Sequence, residues 1–226
     1  MDTACWNAVI VGCTHNGYYL DSLRTFNLIR RETQVSHDSI TLVSVISACG
    51  NLDLLLEGQR SHGLTVKTLV DVDIRVQNAL IAMYGKLDGV HSAHLVFNFC
   101  NNRNLCAWNC RISALSQNND AKEALALFCS LDFEPNEITI ATIISVCTQL
   151  GLPGFGKQIH GYVFRFQFHT NSFVIDALVD SYSNSGRLER AATVFRHSSE
   201  KSVAAWNSMM SAYGFHSKDT RAMGSS

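Results

Sequence analysis

The chain is short of proline, of charge, and of any bias in the sign of its charge. Only Pro135 and Pro153 occur in 226 residues, so few positions forbid a continuing helix. Charged residues make up 16%, and 18 Lys and Arg against 19 Asp and Glu leave a formal net charge of -1 with the nine histidines neutral. A basic excess would point to phosphate attraction, so its absence counts against tight, sequence-indifferent electrostatic binding. No apolar run is long enough to span a bilayer. The opening "MDTACWNAVI" lacks the basic start of a signal peptide and the Arg- and Ser-rich character of an organelle transit peptide. The eight cysteines (5, 13, 49, 100, 106, 110, 129 and 147) include no CxxC. Disulfide scaffolds are small and loop-rich, which excludes that class here. Cys49 and Cys147 stand inside apolar helical runs, so the expectation is reduced, buried thiols acting as small hydrophobes. No phosphate loop and no GxSxG elbow is present, and no cofactor is implied.

What the chain does have is 46% hydrophobic residues, enough for a folded core, and internal repetition. Its three tryptophans, Trp6, Trp108 and Trp206, are each followed by asparagine: Asn7, Asn109 and Asn207. The segment "TLVSVISACGNLDLLLEGQRSHG" (41–63) matches "TIATIISVCTQLGLPGFGKQIHG" (139–161), and "QNALIAMYGKLDGVHSAHLVF" (77–97) matches "IDALVDSYSNSGRLERAATVF" (175–195), both at an offset of 98 residues. Finer division gives repeats at 3–38, 39–73, 74–104, 105–136, 137–171 and 172–202, of 36, 35, 31, 32, 35 and 31 residues. A seventh begins at Val203, and 203–226 reads as a partial repeat and tail.

Within 74–104, Val76, Ala79, Leu80, Met83 and Tyr84 keep helical i, i+3, i+4 spacing, "GKLDG" (85–89) breaks the run, and Ala93, Val96 and Phe97 form a second stripe. Each repeat is therefore expected to be two short helices joined by a turn. A small-x3-Phe element recurs in the second helices (Ser22/Phe26, Ala93/Phe97, Ala124/Phe128, Ala191/Phe195), pairing a small residue for close approach with a ring that fills the groove. Neither helix can bury its stripe alone, and stacking on neighbours makes an all-α solenoid of αα-hairpins.

The 35-residue hairpin, with "WNAVI", "NALIAMYGK", "GKQIHGYV" and "EPNEITI", resembles the pentatricopeptide repeat (PPR) family. The ordered alternation of repeat lengths resembles its plant PLS subclass, with P-, L- and S-type repeats at 3–38, 39–73 and 74–104, and again at 105–136, 137–171 and 172–202. The resemblance implies a right-handed superhelix of about six and a half repeats that binds single-stranded RNA, one repeat per base. It assigns readout to the fifth and last residues of each repeat: Asn7 with Asp38, Asn78 with Asn104, Asn109 with Asn136, Asp176 with Ser202, and Asn207 in the partial repeat. An asparagine amide offers a donor and an acceptor to a base edge. In the family Asn/Asp favours U and Asn/Asn favours C or U, so the implied target is U-n-Y-Y-n-n. The L-type pairs Val43 with Asp73 and Ala141 with Asn171 should read weakly, because their fifth side chains cannot hydrogen-bond. The second residues (Ala4, Ile40, Arg75, Cys106, Ile138, Phe173 and Ala204) are expected to sandwich bases, with Arg75 and Phe173 able to stack.

Several plainer readings stand beside these. The tryptophans are read as core packing, and the neighbouring asparagines could instead be solvated or capping residues. His91 and His94 at i, i+3 lack a Cys or carboxylate cluster, so no metal site is expected. His62 and His160 recur at repeat spacing, which suggests a packing or turn role. Relatives of this subclass direct C-to-U editing in mitochondria or chloroplasts, some with a zinc deaminase that needs HxE and PCxxC. Neither HxE nor CxxC occurs, so no editing chemistry of its own is expected, and editing-factor or deaminase proteins would be partners. The mitochondrion is the slightly preferred compartment. An apolar stripe at Met209, Met210 and Tyr213 suggests self-association through the partial repeat. The alternatives are a tetratricopeptide-like protein–protein scaffold, whose steady 34-residue period differs from the alternation here, and a truncated non-functional fragment.

Overall fold

The computed structural model describes residues 3–32, 38–87, 89–198 and 201–223. Among them are thirteen α-helices and no strand: α1 (Thr3–His15), α2 (Tyr19–Glu32), α3 (Ser39–Asn51), α4 (Leu55–Lys67), α5 (Ile74–Leu87), α6 (Val90–Phe99), α7 (Leu105–Gln117), α8 (Ala121–Cys129), α9 (Glu137–Gln149), α10 (Pro153–Arg165), α11 (Ser172–Asn184), α12 (Leu188–His197) and α13 (Val203–Met223). A 3₁₀ turn at Phe168–Thr170 precedes α11. The chain divides into two compact bodies, residues 1–119 and 120–226.

In the first body α1, α3, α5 and α7 pack in succession, and α2, α4 and α6 each lie against the helices before and after them. The apolar spacing dictates this. Val76, Leu80, Ile81 and Met83 on α5 are fully buried beside Leu42, Val45 and Ile46 of α3 and Ala107 and Ala114 of α7. Each fully buried Leu or Ile contributes about 1.5–3 kcal/mol. Small residues set the spacing of this row: Gly50 of α3 faces the Met83 backbone, and Gly85 of α5 faces Ala114 of α7. The second body repeats the plan, with α9, α11 and α13 packing in succession and α8, α10 and α12 against them. Its core holds Ile140, Ile143, Ile144, Val174, Leu178 and Val179.

The turns within the hairpins share one device. Gly17, Asp53, Gly89, Asn119, Gly151 and Gly186 each adopt positive φ between the two helices of a pair. Four are glycine, and the other two are Asp and Asn, the side chains that best tolerate this left-handed region. The break read at 85–89 falls later than expected. α5 runs through Gly85, Lys86 and Leu87, and Gly89 (φ +79°) makes the turn; Asp88 lies outside the described residues.

The small-x3-Phe stripes are inside: Ser22, Ala93, Ala124 and Ala191 are fully buried, Phe26, Phe97 and Phe195 are buried, and Phe128 is half-buried. Trp108 and Trp206 join two of these rings across helix pairs. Phe97 of α6 meets Trp108 of α7 edge to face with centroids 5.1 Å apart, and Phe195 of α12 meets Trp206 of α13 in the same way at 4.8 Å. A cation closes each stack: Arg103 lies 4.8 Å from the Phe97 ring and Lys201 5.5 Å from the Phe195 ring. Such edge-to-face pairs contribute about 0.5–1.5 kcal/mol beyond the area they bury. Core packing holds for Trp6 and Trp108, which are half-buried against the core of the first body, and needs a correction at Trp206, which is 50% exposed; Trp108 and Trp206 also clasp one helix pair to the next.

The cysteine expectation also needs correction. Cys49, Cys100 and Cys147 are buried, and burial raises their thiol pKa values, but Cys5, Cys106 and Cys129 are exposed. Each exposed thiol lies on a helix surface that the apolar stripe does not reach. His62 Nδ1 lies 2.9 Å from the Tyr84 hydroxyl, and His160 hydrogen-bonds Tyr182 98 residues later, which gives both histidines a packing role.

Candidate nucleic-acid interface

Six residues stand immediately before the first helix of a pair: Asp38, Asp73, Asn104, Asn136, Asn171 and Ser202. Each caps that helix with a side-chain oxygen that accepts a backbone N–H: from Thr41 (2.8 Å), Arg75 (2.9 Å), Ala107 (2.9 Å), Thr139 (3.1 Å), Phe173 (3.0 Å) and Ala205 (3.0 Å), respectively. Capping of this kind contributes about 1 kcal/mol per helix and fixes the side chain in place. Thus it is the last residues read from the sequence, not the asparagines after tryptophan, that do the capping.

The residues read as fifth positions lie a turn inside the helices, and three of them touch their assigned partners. The Asn7 amide donates to Asp38 Oδ2 at 2.9 Å, and the Ser202 hydroxyl donates to Asp176 Oδ2 at 2.7 Å. The Asn78 amide donates to Asn104 Oδ1 in a longer contact of 3.4 Å. Asn78 Oδ1 is buried and has no hydrogen-bond partner. A buried acceptor left unsatisfied is uncommon and calls for a ligand or water. Asn109 is buried, at 8% exposure, which corrects the expectation that it lies on an open surface. Its assigned partner Asn136 belongs to the other body. Asn207 is exposed on α13. Val43 and Ala141 are half-buried and bring no polar side chain to Asp73 or Asn171; Val43 packs on the core of the first body.

One position earlier in the same helical turn than the buried stripe, the second residues form a series. Ala4, Ile40, Arg75, Cys106, Ile138, Phe173 and Ala204 are all exposed. Ile40 is 48%, Ile138 56% and Phe173 69% exposed. These large apolar side chains face solvent on the first turns of their helices. Cys106 adds a thiol whose pKa is lowered by a hydrogen bond from Cys110, one turn on.

Arg75 is bound in a way the sequence did not signal. Its Nε donates to Asp73 Oδ1 at 3.1 Å, and its Nη2 donates to Asp73 Oδ2 at 2.7 Å and to Ser39 Oγ at 3.0 Å. This guanidinium holds the Asp73 carboxyl well below the usual carboxylate range. Among the described residues no group of three or more His, Cys, Asp or Glu side chains could hold a metal ion, and no helix is long and apolar enough to cross a membrane.

Fold and site together define a helical-hairpin repeat protein whose first helices start, in each body, at a side-chain cap. The PPR repeat family model matches residues 4–33 and 106–132. Over 222 residues the chain is 48% identical to pentatricopeptide repeat-containing protein At4g19220, mitochondrial, of Arabidopsis thaliana, which covers 98% of the chain and 23% of that relative. It is 31% identical to At1g15510, chloroplastic, of the same plant, covering 93% of the chain and 25% of the relative. The chain thus spans about a quarter of the length of these curated relatives. Among solved structures it resembles PPR10 from maize, with a TM-score of 0.57 at 19% identity over 99% of the chain and 38% of PPR10. It also resembles PPR10 in complex with an 18-nt psaJ RNA element, with a TM-score of 0.58 at 20% identity over 97% of the chain and 39% of PPR10. The chain belongs to the pentatricopeptide repeat family and has its αα-hairpin solenoid fold.

Proposed function

We propose that this chain binds single-stranded RNA base by base, through the fifth and last residues of repeats at 3–38, 39–73, 74–104, 105–136, 137–171 and 172–202. The observation that carries the reading is the set of hydrogen-bonded pairs Asn7–Asp38, Asn78–Asn104 and Asp176–Ser202, with the unsatisfied Asn78 acceptor beside them. The exposed second residues flank these pairs. Stacking on such side chains contributes about 1–3 kcal/mol per base. The crystal structure of PPR10 with an RNA element supports the same reading by analogy of fold.

The chain acts in this proposal by binding and not by catalysis. In this proposal the P- and S-type repeats are the readers, and the L-type repeats read weakly. Relatives named mitochondrial and chloroplastic support an organellar setting, with the mitochondrion preferred, in RNA processing or the specification of C-to-U editing sites by partner enzymes.

The test is fluorescence anisotropy with U-n-Y-Y-n-n RNA and with a probe carrying purines at the three specified positions. The wild type should prefer the first probe. By the family code, the Asn78→Thr, Asn109→Thr variant should move the preference at positions three and four toward A. Equal, salt-sensitive binding to every probe, or no binding, would refute base readout, and the latter would favour a protein-binding scaffold.

A further inference from the structure

Asp38 and Asp73 are the same residue type at the same structural place, before α3 and before α5, yet their carboxylates are used differently. Asp38 Oδ1 accepts from the Thr41 N–H, which caps α3, and Oδ2 is offered sideways to the Asn7 amide. Asp73 Oδ1 likewise accepts from the first turn of its helix, at the Arg75 N–H. The residue that stands where Asn7 would be is Val43, which has nothing to donate. Both Asp73 oxygens are gripped by the Arg75 guanidinium, and the Ser39 hydroxyl lies against the same pair.

We infer that the Arg75–Asp73 pair is a latch that silences base readout at the second repeat, and that Arg75 is therefore a specificity-determining residue. This rests on the RNA reading proposed above. Silence at this position does not come only from the missing amide at Val43. It is held, because a base edge or a new side chain would have to displace two charge-assisted bonds to reach the carboxylate, and such bonds are stronger than neutral ones. Arg75 gives its planar fork to Asp73 at the first turn of α5, so the residue that would sandwich one base also removes the reader of its neighbour.

The consequence is non-additive. Val43→Asn alone should not convert repeat two into a reader like Asn7–Asp38, because Arg75 still occupies Asp73. Arg75→Ile alone, which installs the residue found at positions 40 and 138, should not either, because Val43 cannot bond. The double variant should release Asp73 Oδ2 to the new amide. Arg75 is exposed and Asp73 half-buried, and ion pairs this near the surface add little to stability, so all three variants should fold.

The experiment measures anisotropy for wild type, V43N, R75I and V43N/R75I against four RNAs that differ only at the second nucleotide. Less than a twofold spread is expected for the first three proteins, and at least a fivefold preference for U in the double variant. Equal discrimination by V43N alone would overturn the latch, as would a double variant that binds but stays flat. A wild type that does not prefer U-n-Y-Y-n-n over the probe with purines at its three specified positions would bring down the RNA reading and this inference with it. A second readout needs no RNA: carbon NMR of the Asp73 carboxyl should titrate far below the usual range in the wild type and return to that range in R75I. An unchanged titration would refute the grip itself.

Discussion

Replacing Gly85 with alanine should destabilise the first body, although Gly→Ala inside a helix ordinarily does the opposite. Gly85 lies on α5, and helix propensity alone would favour alanine there by about 1 kcal/mol. A Cβ at Gly85, however, would stand 2.5 Å from Ala114 Cβ and 3.2 Å from Ala114 Cα on α7. Carbon atoms rest at about 3.5–4.0 Å, so α5 and α7 would have to part by about 1 Å. Both residues are buried, and overpacking of this kind costs about 1–3 kcal/mol. The shift also strains the Asn118 amide bond to the Gly85 carbonyl (2.8 Å), which ties the end of α7 to α5. Set against the propensity gain, the net expectation is a loss of up to about 2 kcal/mol, or up to about 1 M in the urea midpoint at a slope near 2 kcal/mol/M. Urea unfolding followed by far-UV circular dichroism measures it. Ala114→Gly in the same chain should restore much of the loss, giving a coupling of about 1 kcal/mol or more between the two sites. A G85A variant with a raised midpoint, or two substitutions whose effects simply add, would refute the close-approach account of how the first helices are spaced.

Two further expectations concern pH and association. Burial lowers the pKa of both His62 and His160, so the folded chain takes up protons at lower pH than the unfolded chain does. Stability should therefore fall as pH drops below about 6.5, the ordinary histidine value, and the melting temperature of a His62→Gln, His160→Gln variant should fall less between pH 7 and pH 5; parallel curves for the two proteins would contradict this. On the second body, Trp206, Met209, Met210 and Tyr213 line a groove of about 780 Å³ with Leu188 and Phe195, and Met210 is 60% exposed. Self-association through that groove predicts a concentration-dependent sedimentation coefficient that Met210→Lys abolishes, whereas a wild-type coefficient independent of concentration would contradict it.

The helices were legible in the sequence because the information is periodic. The stripe of Val76, Leu80 and Tyr84 repeats the logic of Val174, Leu178 and Tyr182 at an offset of 98 residues, and one helix read correctly carries its copy. The fifth-and-last pairing was legible only through family resemblance, since nothing in the spacing of Asn7 and Asp38 says that they touch. That contact depends on how α1 packs against the start of α3. The tryptophan clasp was half legible. A large ring at helical spacing reads as core, but its partner Phe97 lies on the preceding helix pair, so the ring bridges two surfaces and stays partly exposed.

The Arg75–Asp73 pair was illegible for a different reason. An i, i+2 pair on a regular helix points two ways and would not be scored as a contact. Here Asp73 is the residue before the helix, its backbone is not helical, and its side chain turns back over the first turn to cap it, which brings the carboxylate to the arginine. Capping therefore does two things in this chain. It fixes where each first helix starts, and it decides which oxygen of the cap is left for the neighbouring repeat. At Asp38 that oxygen goes to Asn7, and at Asp73 to Arg75. The choice follows from one side chain at the fifth position and one at the second, so local helix-start chemistry decides where the second cap oxygen is bonded.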